Sequence, residues 1–218
     1  MASILKVNKL QHTNGTDAIT VASDGSISAG TLSAGTLGTG VTGFGLITHS
    51  EMWRVTTNWS GDDSNVGVPS LIENWELADT YNYSSHGSSV WSWDETNDAF
   101  TCSQTGIWRI DFRLTNADNG GSTSGDNFDP CIRTCTDWNG SSGTWYVVAT
   151  GFSGDYGIGH AHSDVNIMYL WNLKNASNHA LQFIESYNNS VHNSHDFMGS
   201  TSQQCSGVIF TRIGDKVG

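Results

Sequence analysis

Ile107-Trp108-Arg109-Ile110-Asp111-Phe112-Arg113-Leu114 is the stretch on which the fold class turns. Trp108, Ile110, Phe112 and Leu114 fall on one side of an extended backbone, and Arg109, Asp111 and Arg113 on the other. That period of two is what a strand with one buried face requires. Residues 165–173 repeat it, with Val165, Ile167, Tyr169, Trp171 and Leu173 on one face. Met168 and Leu170 make the second face partly apolar too, as in a central or interface strand. Residues 145–149, 180–187 and 207–213 read as further strands, and 52–56, 89–93 and 99–103 as weaker ones. Gly-, Asn- and Ser-rich stretches separate them, the longest at 116–129. Eight or so short strands punctuated in this way predict an all-β, two-sheet sandwich or jelly roll.

Composition agrees. The 218 residues include 25 Gly and only 2 Pro, 14% are charged, and no long Ala/Glu/Lys/Leu run offers a helix. Nine Trp, six Tyr and eight Phe supply large buried faces or exposed stacking surfaces. The length suits one sizeable domain and an appendage. A body of about 170 residues buries roughly two-thirds of its unfolded surface and needs no metal or disulfide to fold.

The net charge of −12, with nine Lys and Arg scattered singly, argues against nucleic acid, whose phosphates demand a cationic patch. The first ten residues lack the apolar core of a signal peptide, and no run approaches the roughly 18 apolar residues of a membrane span. The expectation is a chain made in the cytoplasm, neither inserted in a membrane nor exported by the ordinary route. Reduced thiols are then the default for Cys102, Cys131, Cys135 and Cys205, with a Cys131–Cys135 loop disulfide as the alternative in an oxidising medium.

Residues 1–45 differ from the rest. Ile4-Leu5-Lys6-Val7-Asn8-Lys9-Leu10 alternates like a short strand, Asn14-Gly15 signals a hairpin turn, and Ala18-Ile19-Thr20-Val21 supplies a second strand. Ser28-Ala29-Gly30-Thr31-Leu32 then recurs as Ser33-Ala34-Gly35-Thr36-Leu37. One Leu or Ile per five residues makes no core alone. The segment is therefore either a flexible linker or a shaft covered by identical segments of neighbouring subunits. The domain reading is 1–45, an N-terminal attachment arm or stem, and 46–218, the sandwich domain.

Two stretches of the body carry a family likeness. Trp93-Asp94-Glu95-Thr96-Asn97-Asp98-Ala99-Phe100-Thr101, with Gly106-Ile107-Trp108 opening the next strand, resembles the C1q-like and tumour-necrosis-factor-like jelly rolls, in which an acidic turn leads to a Phe-Thr strand. Cys205-Ser206-Gly207-Val208-Ile209-Phe210-Thr211-Arg212-Ile213-Gly214 resembles that family's last strand. The opening ten residues resemble the start of small fibre-type proteins of marine tailed bacteriophages. Together these cover about a fifth of the chain. The resemblance implies a homotrimer displayed on a virion, with Ile4, Leu5, Val7 and Leu10 as candidate anchoring residues toward other virion proteins. It also implies aromatic residues at the three-fold axis, for which Tyr169, Trp171, Phe183 and Phe210 are the candidates. The competing assignment for each of these is the sandwich core.

Candidate chemistry is sparse. In a strand, His160 and His162 would share a face, the geometry of a metal site, with His192 or His195 as a third ligand. Polar loop tips account for the same residues and are favoured, so no metal and no cofactor is expected. Calcium on Asp126 and Asp129 matches no ligand-loop pattern. Glu73 and Glu76 are one of many carboxylate pairs among 21 acids, and no nucleophile elbow, P-loop or dinucleotide unit appears. The chain reads as a non-enzyme. Trp53, Trp59, Trp75, Trp91, Trp93 and Trp138 lie near expected turns or strand ends, where an indole can stack on a sugar. Trp138, amid polar neighbours, is the candidate glycan contact.

The leading expectation is a trimeric virion structural protein of a tailed phage, a fibre, spike or capsid decoration. It would touch a host-surface glycan or protein, or stabilise the particle. A free carbohydrate-binding or adhesion module is the alternative, and a polysaccharide depolymerase ranks last because no constellation supports it.

Overall fold

The computed structural model describes residues 9–11, 17–21, 27–28, 47–60, 70–79, 85–117, 127–154, 162–186 and 196–218. Contacts divide the chain into two units, Met1–Phe44 and Gly45–Gly218. In the first, strands β1 (Lys9–Gln11), β2 (Asp17–Val21) and β3 (Ile27–Ser28) form an antiparallel sheet in that order. Leu10 pairs with Ile19. Ile4, Leu5, Val7 and all of the repeat beyond Ser28 lie outside the described residues.

The second unit contains β4 (His49–Val55), β5 (Trp59–Ser60), β6 (Ser70–Leu71), β7 (Trp75–Leu77), β8 (Trp91–Asp94), β9 (Ala99–Cys102) and β10 (Gly106–Ala117). Then follow β11 (Asn127–Cys135), β12 (Trp145–Thr150), β13 (Ser153–Gly154), β14 (His162–Leu173), β15 (Ala180–Ser186), β16 (Asp196–Phe197) and β17 (Gly207–Gly214). They form two antiparallel sheets. One runs β7-β4-β17-β10-β14, with β16 and β5 continuing beside the far end of β10. The other runs β8-β9-β15-β11-β12, with β6 beside β15 and β13 beside β11.

Alternation places the core. From the first sheet, Trp53, Trp108, Ile110, Phe112, Leu114, Ile167, Trp171, Val208 and Phe210 meet Trp91, Phe100, Ile132, Leu181 and Phe183 of the second. Trp91 stacks on Phe210 with ring centroids 3.9 Å apart at 11°, and meets Trp108 edge-on at 5.2 Å. Phe112 and Phe183 approach to 4.5 Å. The aromatic residues thus interdigitate across the layers as a face-to-face sandwich requires.

A second, smaller cluster lies on the outer face of the second sheet. There Ala99, Cys135 and Ala180 are covered by Trp138, with Trp145 packed alongside. The loop that brings Trp138 over is pinned by the Trp138 N–H to the Asn178 carbonyl (2.9 Å) and by Asn97 Nδ2 to the Gly140 carbonyl (3.2 Å). β11 is therefore buried on both faces near Cys135, and this hides its alternation in the sequence.

Candidate functional site

The outer face of the first sheet is read from its register. Met52, Ile209, Asp111 and Met168 stand in one row across β4, β17, β10 and β14. Ser50, Thr211, Arg109 and Leu170 stand in the next. The charged members are tied within the chain: Arg109 donates to Asp111 at 2.9 Å and Arg113 to Asp164 at 2.7 Å. Between them lies a groove of about 280 Å³, lined by Asp111, Arg113, Asn166, Met168, Gln204 and Ile209 among others. Met168 and Leu170 are more than half exposed, at 56% and 52%, and Ile209 is 38% exposed.

A second apolar surface follows the rim. β12 and β14 are edge strands of opposite sheets and adjoin one another. On β12, Tyr146 and Val147 are exposed, and Phe152 just beyond it is 76% exposed. Single surface apolar residues need no explanation, but several exposed on one sheet face and on the adjoining rim suit an interaction surface.

Several expected site residues lie elsewhere. Phe183, Phe210 and Trp171 are buried between the two sheets of their own chain, and Tyr169 is half-buried against the same cluster. The three-fold axis candidates are thus core residues, because the face that alternation assigns to them is the one turned to the other sheet. Met168 and Leu170, the opposite face of the same strand, hold the exposed position instead.

Trp138 is likewise corrected: it is buried, so it presents no indole to a sugar. Trp53, Trp75 and Trp91 are also buried, and Trp93 is half-buried. The side chain of Trp59 lies outside the described residues.

Cys131 and Cys135 sit four residues apart on one extended strand, about 13 Å by strand rise, far beyond the 4.4–6.8 Å of a disulfide. All four cysteines are free. His162 opens β14 with its backbone paired to Ala117, while His160, His192, His195 and Asp126 lie outside the described residues. Asp129 is half-buried, and burial raises its pKa, which opposes the charged form that calcium needs. Among the described residues no group of three His, Cys, Asp or Glu side chains is placed to hold a metal. Glu76 of the carboxylate pair is engaged by Arg54, whose Nε donates to it at 2.7 Å.

One arrangement escaped sequence reasoning. Arg133, on the outer face of β11, donates from Nε to Gln182 Oε1 at 2.7 Å, and Gln182 Nε2 donates to the Asn97 carbonyl at 3.0 Å. The guanidinium carbon lies 5.1 Å from the Trp145 ring centroid. Sequence alone gave no signal, because the partners come from four different segments.

Comparison with known proteins bears on the fold. No family model and no curated protein matches the sequence. Among solved structures, the Eiger TNF of S. frugiperda superposes with a TM-score of 0.54 at 12% identity, over 78% of this chain and 94% of that one. Murine APRIL at pH 8.0 gives 0.48 at 10% identity, over 75% of this chain and 98% of its own. The Eiger superposition and the two antiparallel sheets give the chain an all-β jelly-roll fold like that of tumour-necrosis-factor-like proteins, as its 93–112 and 205–214 segments led one to expect.

Proposed function

We propose that this chain is a homotrimeric, non-enzymatic display protein that works through shape and avidity. The observation that carries the reading is the pair of apolar surfaces on one protomer, the face with Met168, Leu170 and Ile209 and the rim with Tyr146 and Phe152. Two different patches suit a heterologous contact, rim of one copy against face of the next, and such contacts close into rings. The resemblance of the 93–112 and 205–214 segments supports a ring of three. The likeness of the opening ten residues to phage fibre-type proteins favours a virion of a tailed bacteriophage as the place of display. Residues 1–45 are then the attachment arm toward other virion proteins. Three linked heads raise effective concentration, so individually weak contacts to a host surface suffice.

Light scattering tests the assembly. The full chain is expected at three times its own mass, and Leu170→Glu at one chain mass with an unchanged β-sheet spectrum. A monomeric wild type sinks the reading. For the virion role, particles carrying a chain without residues 1–45 are expected to lose the protein while the head still folds.

The alternative, a free adhesion module, draws support from the Arg133 and Trp145 arrangement, which has no assembly role in the reading above.

A further inference from the structure

The chain holds five arginines. Four of them meet carboxylates: Arg54 with Glu76 and Asp79, Arg109 with Asp111, Arg113 with Asp164, and Arg212 with Asp215. Arg133 has no carboxylate partner among the described residues, in a chain where Asp and Glu outnumber Lys and Arg 21 to 9. It is nevertheless held in place. Gln182, itself only 3% exposed, spends both ends of its amide on the arrangement, accepting from Arg133 Nε and donating to the Asn97 carbonyl. The guanidinium carbon lies over the Trp145 ring, and Trp138 braces that indole from 5.5 Å.

Nε is thereby committed and the guanidinium carbon sits over the indole, while neither terminal nitrogen has an acceptor among the described residues. A guanidinium anchored at Nε, with its outer edge free, offers two parallel N–H donors. Beside it stand the exposed Val147 and the half-exposed edge of Trp145. Apolar ground next to a forked donor suits the ring of a sugar whose carboxylate meets the fork.

The geometry points to Arg133, oriented by Gln182 and backed by Trp145, as the binding subsite for the carboxylate of an acidic sugar, a uronic or sialic acid unit. This gives a chemical class to the host-surface contact and rests on the display reading for its biological sense. The subsite itself lies within one chain and needs no partner copy. The net charge of −12 repels anions at long range, but at physiological ionic strength that repulsion is screened beyond about 8 Å. Within that distance the unpaired guanidinium governs.

The test titrates the full-length protein with glucuronate, N-acetylneuraminate, glucose and inorganic sulfate. It follows the Trp indole N–H and Arg Nε–H resonances by NMR, with Arg133 and Trp145 assigned from Arg133→Lys and Trp145→Phe. Saturable shifts at both sites in the millimolar range are expected with one or both sugar acids, and which one responds identifies the source. Arg133→Lys keeps the charge but loses the fork, and Arg133→Gln loses both. Each is expected to weaken binding about tenfold or more, with solution mass and the folded β-sheet spectrum unchanged at the titration temperature, although loss of the bond to the buried Gln182 lowers the melting temperature. Equal shifts with glucose, equal competition by sulfate, or undiminished binding by Arg133→Lys overturns the subsite. Mass measured on the same samples keeps the two readings apart. A monomer that binds removes only the trimer, and a trimer that ignores sugar acids removes only the subsite.

Discussion

Glu51 of β4 reaches across the sandwich to the start of β8, where its fully buried carboxylate accepts the backbone N–H of Val90 at 2.5 Å and of Trp91 at 3.3 Å. Ser89 Oγ donates to the second oxygen at 3.0 Å. A buried carboxylate is tolerated only when its lone pairs are filled in this way. Here it stitches the first sheet to the edge of the second. Glu51→Gln turns an NH2 group toward N–H donors and leaves buried groups unpaired. A loss of about 2 kcal/mol or more is expected, read from the midpoint of urea unfolding. An unchanged midpoint overturns the stitch.

Phe210 and Ile209 are neighbours on β17 with opposite duties. Phe210→Ala removes the ring stacked on Trp91 and leaves a cavity, with an expected cost of about 3–5 kcal/mol. Ile209→Ser changes an exposed side chain and is expected to shift the solution mass while leaving the unfolding midpoint of the isolated chain nearly unmoved. If the two variants behave alike, the division of β17 into core and contact faces is wrong.

The thiols give a count. Cys102, Cys131 and Cys135 are buried, and burial pushes the Cys102 pKa up to about 12 and raises the other two. Cys205 is half-exposed. Since the thiolate is the reactive form, one cysteine is expected to react promptly with Ellman's reagent in the native protein, and all four after denaturation.

Asp137 sets an acid limit on the β11–β12 loop. Its carboxylate accepts from the Cys135 thiol at 3.0 Å, from the Thr144 N–H at 2.7 Å and from the Thr144 hydroxyl at 2.8 Å. These bonds lower its pKa from 3.8 to about 2. A carboxylate lowered in the folded state stabilises wherever it is ionised. The contribution is complete above the unfolded value near 3.8 and disappears as pH falls toward 2. Melting temperature in that window is expected to fall less steeply for Asp137→Asn than for wild type.

What could be read in advance follows from which faces are solvated. β10 was legible because Arg109, Asp111 and Arg113 meet water opposite four core residues. β14 was legible in part: Met168 and Leu170 marked an interface strand, although the candidates for the contact were chosen from its buried face. β11 was missed, and its first residues were assigned to a loop. Cys135 is covered by Trp138 on the outer side, so alternation vanishes, and Pro130 reads as a strand breaker. Its carbonyl accepts from Gly151 at the break between β12 and β13, on the side where the missing N–H leaves no ladder partner wanting. Arg133 and Trp145 were invisible as a pair, because strand order rather than spacing brings Gln182 and Asn97 to them.

The position of β17 governs when this sandwich can exist. It follows every other strand of the described residues, yet it lies between β4 and β10 and pairs with both. Until residue 214 has left the ribosome, those two strands face each other across a missing neighbour, with unpaired edges open to other chains. Assembly of the first sheet is thus deferred until β17 has emerged, and a chain truncated before residue 207 carries a sticky gap through the middle of that sheet. The sandwich has in effect a built-in check on synthesis: only a chain translated through β17 can hide the facing edges of β4 and β10.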